Sequence, residues 1–258
     1  MTVRELYAEL DTRIPRSLSC EWDNDGLMCC SDGGREVKRV LVTLDVTAKA
    51  VEYAVKGGYD CIISHHPFIF KGLKAIDGDN AISAKAMRLI SEGIAVMSFH
   101  TRLDAVEGGV NDILCALIGL EDVAPIYEDG VPIGRVGMLK RNVSADVLAM
   151  LVKERLRAPA VLLSDAGVEA RRVAVVGGSG KDLVDIARAA GADTFVSGRL
   201  DYHPMTDGPD SVVAPMNMIE AGHFYTEFPV CSGLCKLICD IDPNVECDIF
   251  DSNVIRVI

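Results

Sequence analysis

Four of the five histidines fall in three short polar segments: Ser64-His65-His66-Pro67, His100-Thr101-Arg102-Leu103-Asp104 and Gly222-His223-Phe224-Tyr225-Thr226-Glu227. Adjacent side chains on a regular strand point to opposite faces, so His65 and His66 face one site only where the strand breaks. Pro67 supplies a break, because it holds His66 extended and donates nothing to a ladder. His100 and Asp104, four residues apart, converge on one cation if the segment turns. On a helical turn His223 and Glu227 project from the same face, one imidazole beside one carboxylate. Imidazoles with carboxylates suit zinc, iron, manganese or nickel, whereas magnesium and calcium prefer oxygen ligands alone. Each pattern alone is weak, and a histidine pair is as readily core or surface. Their concentration at strand ends carries the argument.

Those segments need elements to position them. Bursts of Val and Ile alternate with helix-like stretches, a βα rhythm. A helix near Val3 to Leu10 precedes the strand VKRVLVTLDV, Val37 to Val46. Thr47 caps a helix to about Lys56, closed by Gly57-Gly58, and YDCIIS ends at Ser64 as a second strand. The helix Asn80 to Glu92 stops at Gly93 before the strand IAVMSF. Three strands therefore end at Asp45, at Ser64 beside His65, and at Phe99 beside His100. Open α/β sheets place their chemistry outside the carboxyl ends of strands. The turn-rich YEDGVPIG near Pro125 opens a second set: the strand GRVGMLK, a helix Ser144 to Arg157, the strands AVLL and RRVAVVGGSG, a helix Lys181 to Ala190 and the strand DTFVSG. A polar segment, Asp201 to Asp210, then leads to the strand-like VVAPMNMIEAG, a helix near Thr226 to Leu237 and a strand near Glu246 to Phe250. The expected architecture is two α/β domains, residues 1–124 together with 226–258 and residues 125–225, similar in rhythm but without a residue-level repeat.

The chain has 258 residues, 49% hydrophobic and 25% charged, enough apolar material for a sizeable core. Its 38 acidic against 26 basic side chains give a formal charge of −12, which repels phosphate backbones and argues against a nucleic-acid partner. The apolar runs are strand-sized, so no membrane partner is expected. MTVRELYAEL lacks the apolar core of a signal peptide, and the nine cysteines are an odd number; reduced thiols in a cytoplasmic protein are expected. Two further patterns carry less weight. Gly177-Gly178-Ser179-Gly180-Lys181 looks like a phosphate loop, but Val175 and Asp182 stand where that motif needs glycine and a hydroxyl residue. It reads as a tight strand-to-helix turn. Cys231, Cys235 and Cys239 share one helical face and read as a buried stripe rather than a metal cluster, since no paired CxxC accompanies them.

Taken in order, Trp22-Asp23-Asn24-Asp25-Gly26-Leu27, Leu44-Asp45-Val46-Thr47, Ser64-His65-His66-Pro67, His100-Thr101-Arg102-Leu103-Asp104-Ala105 with Gly108-Gly109-Val110-Asn111-Asp112, Gly177-Gly178-Ser179-Gly180, and Gly222-His223 with Thr226-Glu227 resemble the signatures of the NIF3-like family, known also as GTP cyclohydrolase 1 type 2. The resemblance covers essentially the whole chain. It implies a NIF3-like fold, two α/β domains of similar topology with a dinuclear metal site in the cleft between them, assembled into a ring-shaped homohexamer. It also implies that His65, His66, Asp104, His223 and Glu227 are the metal ligands, with His100 beside them as a weaker candidate. Two departures stand out. Arg102 replaces a small or amide residue and Arg199 an acidic one, and two added arginines near a metal site favour an anionic ligand. Tyr202 and His203 are kept as possible substrate contacts.

The expected function is that of a hydrolase-like protein with two divalent metal ions (Zn, Fe, Mn or Ni), acting on a small anionic or nucleotide-like molecule. The alternative is a metal-binding or metal-delivery protein, or an interaction scaffold, without catalysis.

Overall fold

The Val- and Ile-rich runs become strands of two separate sheets in the computed structural model, which describes residues 1–258. Each sheet belongs to its own unit, one formed by Met1–Val106 with Cys231–Val254, the other by Glu107–Val230 with Ile255–Ile258.

The first unit contains β1 (Gly26–Cys29), β2 (Arg39–Thr43), β3 (Cys61–Ser64), β4 (Ala95–Ser98) and β11 (Glu246–Ile249), in the order β1-β4-β3-β2-β11. Only β1 runs antiparallel. Its helices are α1 (Val3–Arg13), α2 (Ala48–Gly57), α3 (Ala81–Glu92), the short α4 (Thr101–Ala105) and α10 (Val230–Ile241). Thr2 and Glu5 close a capping box at the start of α1. Thr47 and Asn80 cap α2 and α3 through side-chain oxygens. Leu41, Ile62 and Val96 from adjacent parallel strands pack against Val51, Ala54 and Leu89. Burial on both faces explains why these strands read as continuous apolar runs rather than alternating ones.

The second unit contains α5 (Val110–Ile118), β5 (Glu121–Glu128), β6 (Val131–Val143), α6 (Ala145–Leu156), β7 (Leu162–Ser164), β8 (Ala170–Ser179), α7 (Val184–Ala189), β9 (Thr194–Arg199), α8 (Tyr202–Asp207), β10 (Asn217–Glu220) and α9 (His223–Glu227). Its sheet order is β5-β6-β8-β9-β10-β7. The break between units falls at Val106 rather than near residue 124. Leu114, Cys115 and Ile118 of α5 belong to the core that also holds Val173, Val175 and Val196. The turn-rich YEDGVPIG is the tip of the β5–β6 hairpin, where Asp129 (φ 49°) and Gly130 (φ 82°) form its two-residue turn.

Both units contain the same four-strand pattern. β1-β4-β3-β2 and β7-β10-β9-β8 each have an antiparallel first strand paired to the last strand in sequence of three parallel ones. The repeat extends to one hydrogen-bonded aspartate. Asp60, just before β3, accepts from the backbone N–H groups of Lys38 and Arg39, and Asp193, just before β9, accepts from those of Arg171 and Arg172. Each aspartate's own N–H donates to the carbonyl of the second residue of that pair, Arg39 or Arg172. Sequence similarity is too thin to reveal this duplication, because a single aspartate and the strand periodicity carry it.

Burial alone would raise the Asp60 carboxyl's pKa, but the Lys38 and Arg39 N–H groups and the Arg35 guanidinium overcome it and hold it below the usual range. A depressed folded pKa stabilises fully above the unfolded value of about 4, and that contribution is lost as pH falls through the folded value. Asp60→Ala is expected to cost about 2 kcal/mol at neutral pH and to lose less, relative to wild type, as the acid is titrated. Urea melts at pH 7 and pH 3 check this, and an equal deficit at both pH values would contradict it.

Candidate metal centre

In the first unit β4, β3 and β2 lie side by side and parallel, so their carboxyl ends bring Phe99-His100, His65-His66 and Asp45 to one edge of the sheet. The strand pairing ends at Ser64 and Ser98, whose hydroxyls hydrogen-bond each other at 2.9 Å. Beyond this tie the chain leaves regular strand geometry, and the rings of His65, His66 and His100 gather with centroids 5.0, 5.3 and 5.9 Å apart. The turn expected after His100 is α4, whose first turn carries Asp104.

Each of the three imidazoles has its Nδ1 against an oxygen acceptor. His65 Nδ1 lies 3.0 Å from the Phe99 carbonyl, His66 Nδ1 2.8 Å from Asp45 Oδ1, and His100 Nδ1 2.9 Å from Asp23 Oδ1. A carbonyl or carboxylate oxygen only accepts, so each Nδ1 carries a proton, and in the neutral ring Nε2 then presents the lone pair. That is the arrangement that orients metal-binding histidines. His65 Nε2 lies 3.7 Å from Asp104 Oδ1, and the ligand atoms of His65, His100 and Asp104 all lie within 4.8 Å of one another. Two lone pairs converging in a site where His65 is fully buried fit a cation between them. The donor set is imidazole plus carboxylate, which matches zinc and the later first-row metals.

Asp23 is a residue that spacing did not single out. Burial pushes its carboxyl up, but hydrogen bonds from His100 and Thr101 dominate and bring it down to about 2. It reaches His100 because β1 pairs antiparallel with β4, Gly26 opposite Ser98. A four-residue strand reading Gly-Leu-Met-Cys carries little β signal, and its partner is distant in sequence. Trp22 and Phe70 set their rings edge-on to His100, at 6.0 and 6.3 Å.

Arg102 does not serve an anionic ligand. It is fully buried, donating through Nε to Asp25 at 2.9 Å and through Nη1 to Asp11 at 2.6 Å and the Ile14 carbonyl. Its charge is consumed in holding the β1 approach to α4.

In the second unit, α9 brings His223 Nε2 to 3.1 Å from Glu227 Oε2. Glu227 is buried and His223 half-exposed. The glycine run that mimics a phosphate loop seats this pair. Gly178 has φ +63°, its N–H donates to Thr226 Oγ1 at 3.0 Å, and a Cβ there would collide with Glu227 Oε1. Only glycine allows both the left-handed backbone and the close approach of α9. Beside His223 opens a cavity of about 600 Å³, lined among others by Leu163, Arg199, Tyr202, Met205 and Glu220, within the size range of small-molecule sites. Arg199 and Lys181 flank the carboxylate of Asp201, at 2.7 and 3.5 Å, and Glu220 adds a second carboxylate to the lining, so the charges here balance. His203 is exposed on α8, its ring against Tyr202.

Histidines whose Nδ1 atoms meet oxygen acceptors at the strand ends of a parallel sheet make an α/β protein with side-chain groups that could hold a metal ion. The chain belongs to the Duf34/NIF3 (NGG1p interacting factor 3) family, whose model matches residues 1–256. A Clostridium acetobutylicum relative named GTP cyclohydrolase 1 type 2 homolog is 32% identical over 235 residues, covering 89% of this chain and 86% of the relative. A Nostoc relative of the same name is 34% identical over 206 residues, 78% and 77% of the two chains. The crystal structure of the Staphylococcus aureus protein SA1388 superposes with a TM-score of 0.90 at 26% identity, over 100% of this chain and 99% of that one.

Proposed function

We propose that the protein is a metal-dependent, hydrolase-like member of its family acting on a small anionic or nucleotide-like molecule. His65, His66, Asp104, His223 and Glu227 hold two divalent cations (zinc, iron, manganese or nickel), with His100 beside them. The observation that carries this reading is that His65, His66 and His100 each set Nδ1 against an oxygen acceptor, which leaves Nε2 as the atom able to meet a cation. Metal ions bound there supply Lewis-acid activation of a water and of the bond it attacks. Asp45 and Asp23 keep the rings from rotating, Asp104 and Glu227 contribute negative charge that can bridge or chelate, and Gly178 leaves room for Glu227.

The cavity beside His223 supports a small-molecule substrate, and the Arg199 guanidinium in its lining offers an anionic group a partner. The name carried by the curated relatives supports a nucleotide-like one. No helix is long and apolar enough to cross a membrane.

Protein purified without added metal is expected to carry about two first-row divalent ions per chain by elemental mass spectrometry. Fewer than one tightly held ion per chain would contradict the dinuclear reading. The resemblance further leads us to propose a homohexamer. Light scattering of dilute protein is expected to give six chain masses, and a mass of one or two chains would reject the ring.

A further inference from the structure

The cysteine stripe on α10 does not stay buried along its length: Cys231 is buried, Cys235 half-buried and Cys239 exposed. Cys235 meets a cysteine that the stripe does not contain. Its Sγ lies 2.7 Å from Sγ of Cys247 on β11, twelve residues on in the chain. This is within about 0.7 Å of the 2.03–2.05 Å of a covalent disulfide. The fold brings them together because α10 returns through a tight turn, Val245 N–H donating to the Asp242 carbonyl, into an edge strand whose register sets Cys247 opposite Val40 of β2. Both thiols are only partly buried.

We infer that Cys235 and Cys247 form a reversible dithiol–disulfide pair, closed by exchange with a small disulfide such as oxidised glutathione. The two thiols differ in readiness. The hydrogen bond from Cys247 holds the Cys235 thiol below its ordinary value against the opposing effect of burial, and the same contact raises Cys247. Cys235 is therefore the attacking thiolate. It displaces one glutathione thiolate and forms a mixed disulfide. Cys247 then loses its proton, attacks the Cys235 sulfur and releases the second glutathione. Overall, two cysteine thiols and one glutathione disulfide become one protein disulfide and two glutathione thiols. The deeply buried cysteines lack this reactivity: burial drives Cys29 up to about 11 and Cys115 up to about 12.

The crosslink would fasten the strand that braces one orienting carboxylate of the candidate metal centre. Beyond β11, Phe250 N–H donates to the Val42 carbonyl, and Ser252 Oγ accepts from the N–H of Asp45, the partner of His66. Closing a short loop also restricts the unfolded chain, which raises thermal stability.

The test treats the full chain with oxidised glutathione and reads thiol count, intact mass and melting temperature. Two thiols should disappear with a mass loss of about 2 Da, the melting temperature should rise, and dithiothreitol should reverse all three. Cys239→Ser should behave as wild type, while Cys235→Ser and Cys247→Ser should each abolish the crosslink and the thermal gain. The inference is overturned if the crosslink survives in Cys247→Ser, if wild type accumulates only glutathione adducts, or if a thiol-held metal ion blocks oxidation.

Discussion

Arg102→Met is expected to destabilise the protein by about 3–5 kcal/mol, the range for breaking one side of a buried ion pair. Arg102 and its partner Asp25 both have fully buried side chains. The guanidinium also reaches Asp11 and the Ile14 carbonyl, and its carbon lies 4.5 Å from the centre of the Phe99 ring. Methionine replaces the stem and its packing but leaves the Asp25 carboxylate buried without its strongest partner; what remains are Ser19 Oγ at 3.2 Å, the His100 N–H at 3.4 Å and the half-exposed Arg16 guanidinium at 3.9 Å. Removing both charges should restore much of the loss, because a buried pair replaced as a whole is close to neutral. Urea unfolding of Arg102→Met and of Arg102→Met with Asp25→Leu separates these effects. A single variant within about 1 kcal/mol of wild type, or a double variant no better than the single, would show that this pair does not hold β1 against α4.

The second large effect concerns metal retention. His65→Ala should abolish tight binding, since it removes the buried imidazole whose Nε2 faces Asp104. Asp45→Ala removes only the acceptor that holds His66 Nδ1 at 2.8 Å, so affinity should fall by about 10–100-fold, as for other partners of metal-binding histidines. Competition with a chromophoric chelator measures both, with circular dichroism to establish that each variant folds. Equal affinity in Asp45→Ala and wild type would mean that Asp45 does not orient a ligand.

Much of the parallel framework was legible in the sequence because the period of its hydrophobic pattern and its caps agree. Thr47, Asn80 and Ser144 are N-caps, and Gly58 and Gly93 follow α2 and α3 where glycines end helices. The convergence of His65, His100 and Asp104 followed from the rule that strand ends carry chemistry. What sequence did not yield depends on contacts distant along the chain. β1 is four residues without β-branched side chains, so Asp23 gave no sign of reaching His100. α5 lies between two glycine-containing segments and its membership in the second unit is decided by packing of Leu114 and Ile118 rather than by pattern. Arg102 was misread for the same reason: its partners Asp11 and Asp25 are far away in sequence, and charge near a histidine looks functional until its burial is known. Cys247 lacked any periodic relation to the α10 stripe.

The most direct test of the central claim is anomalous diffraction from crystals of protein purified without chelator, with data collected on both sides of the absorption edge of the metal found by elemental analysis. The account predicts an anomalous peak at roughly 2.0–2.3 Å from His65 Nε2, with Asp104 among its ligands and His66 turned toward the same site by Asp45. An empty position between His65 and Asp104 in protein shown to contain metal, with the anomalous signal instead at the cysteines of α10 and β11, would contradict it.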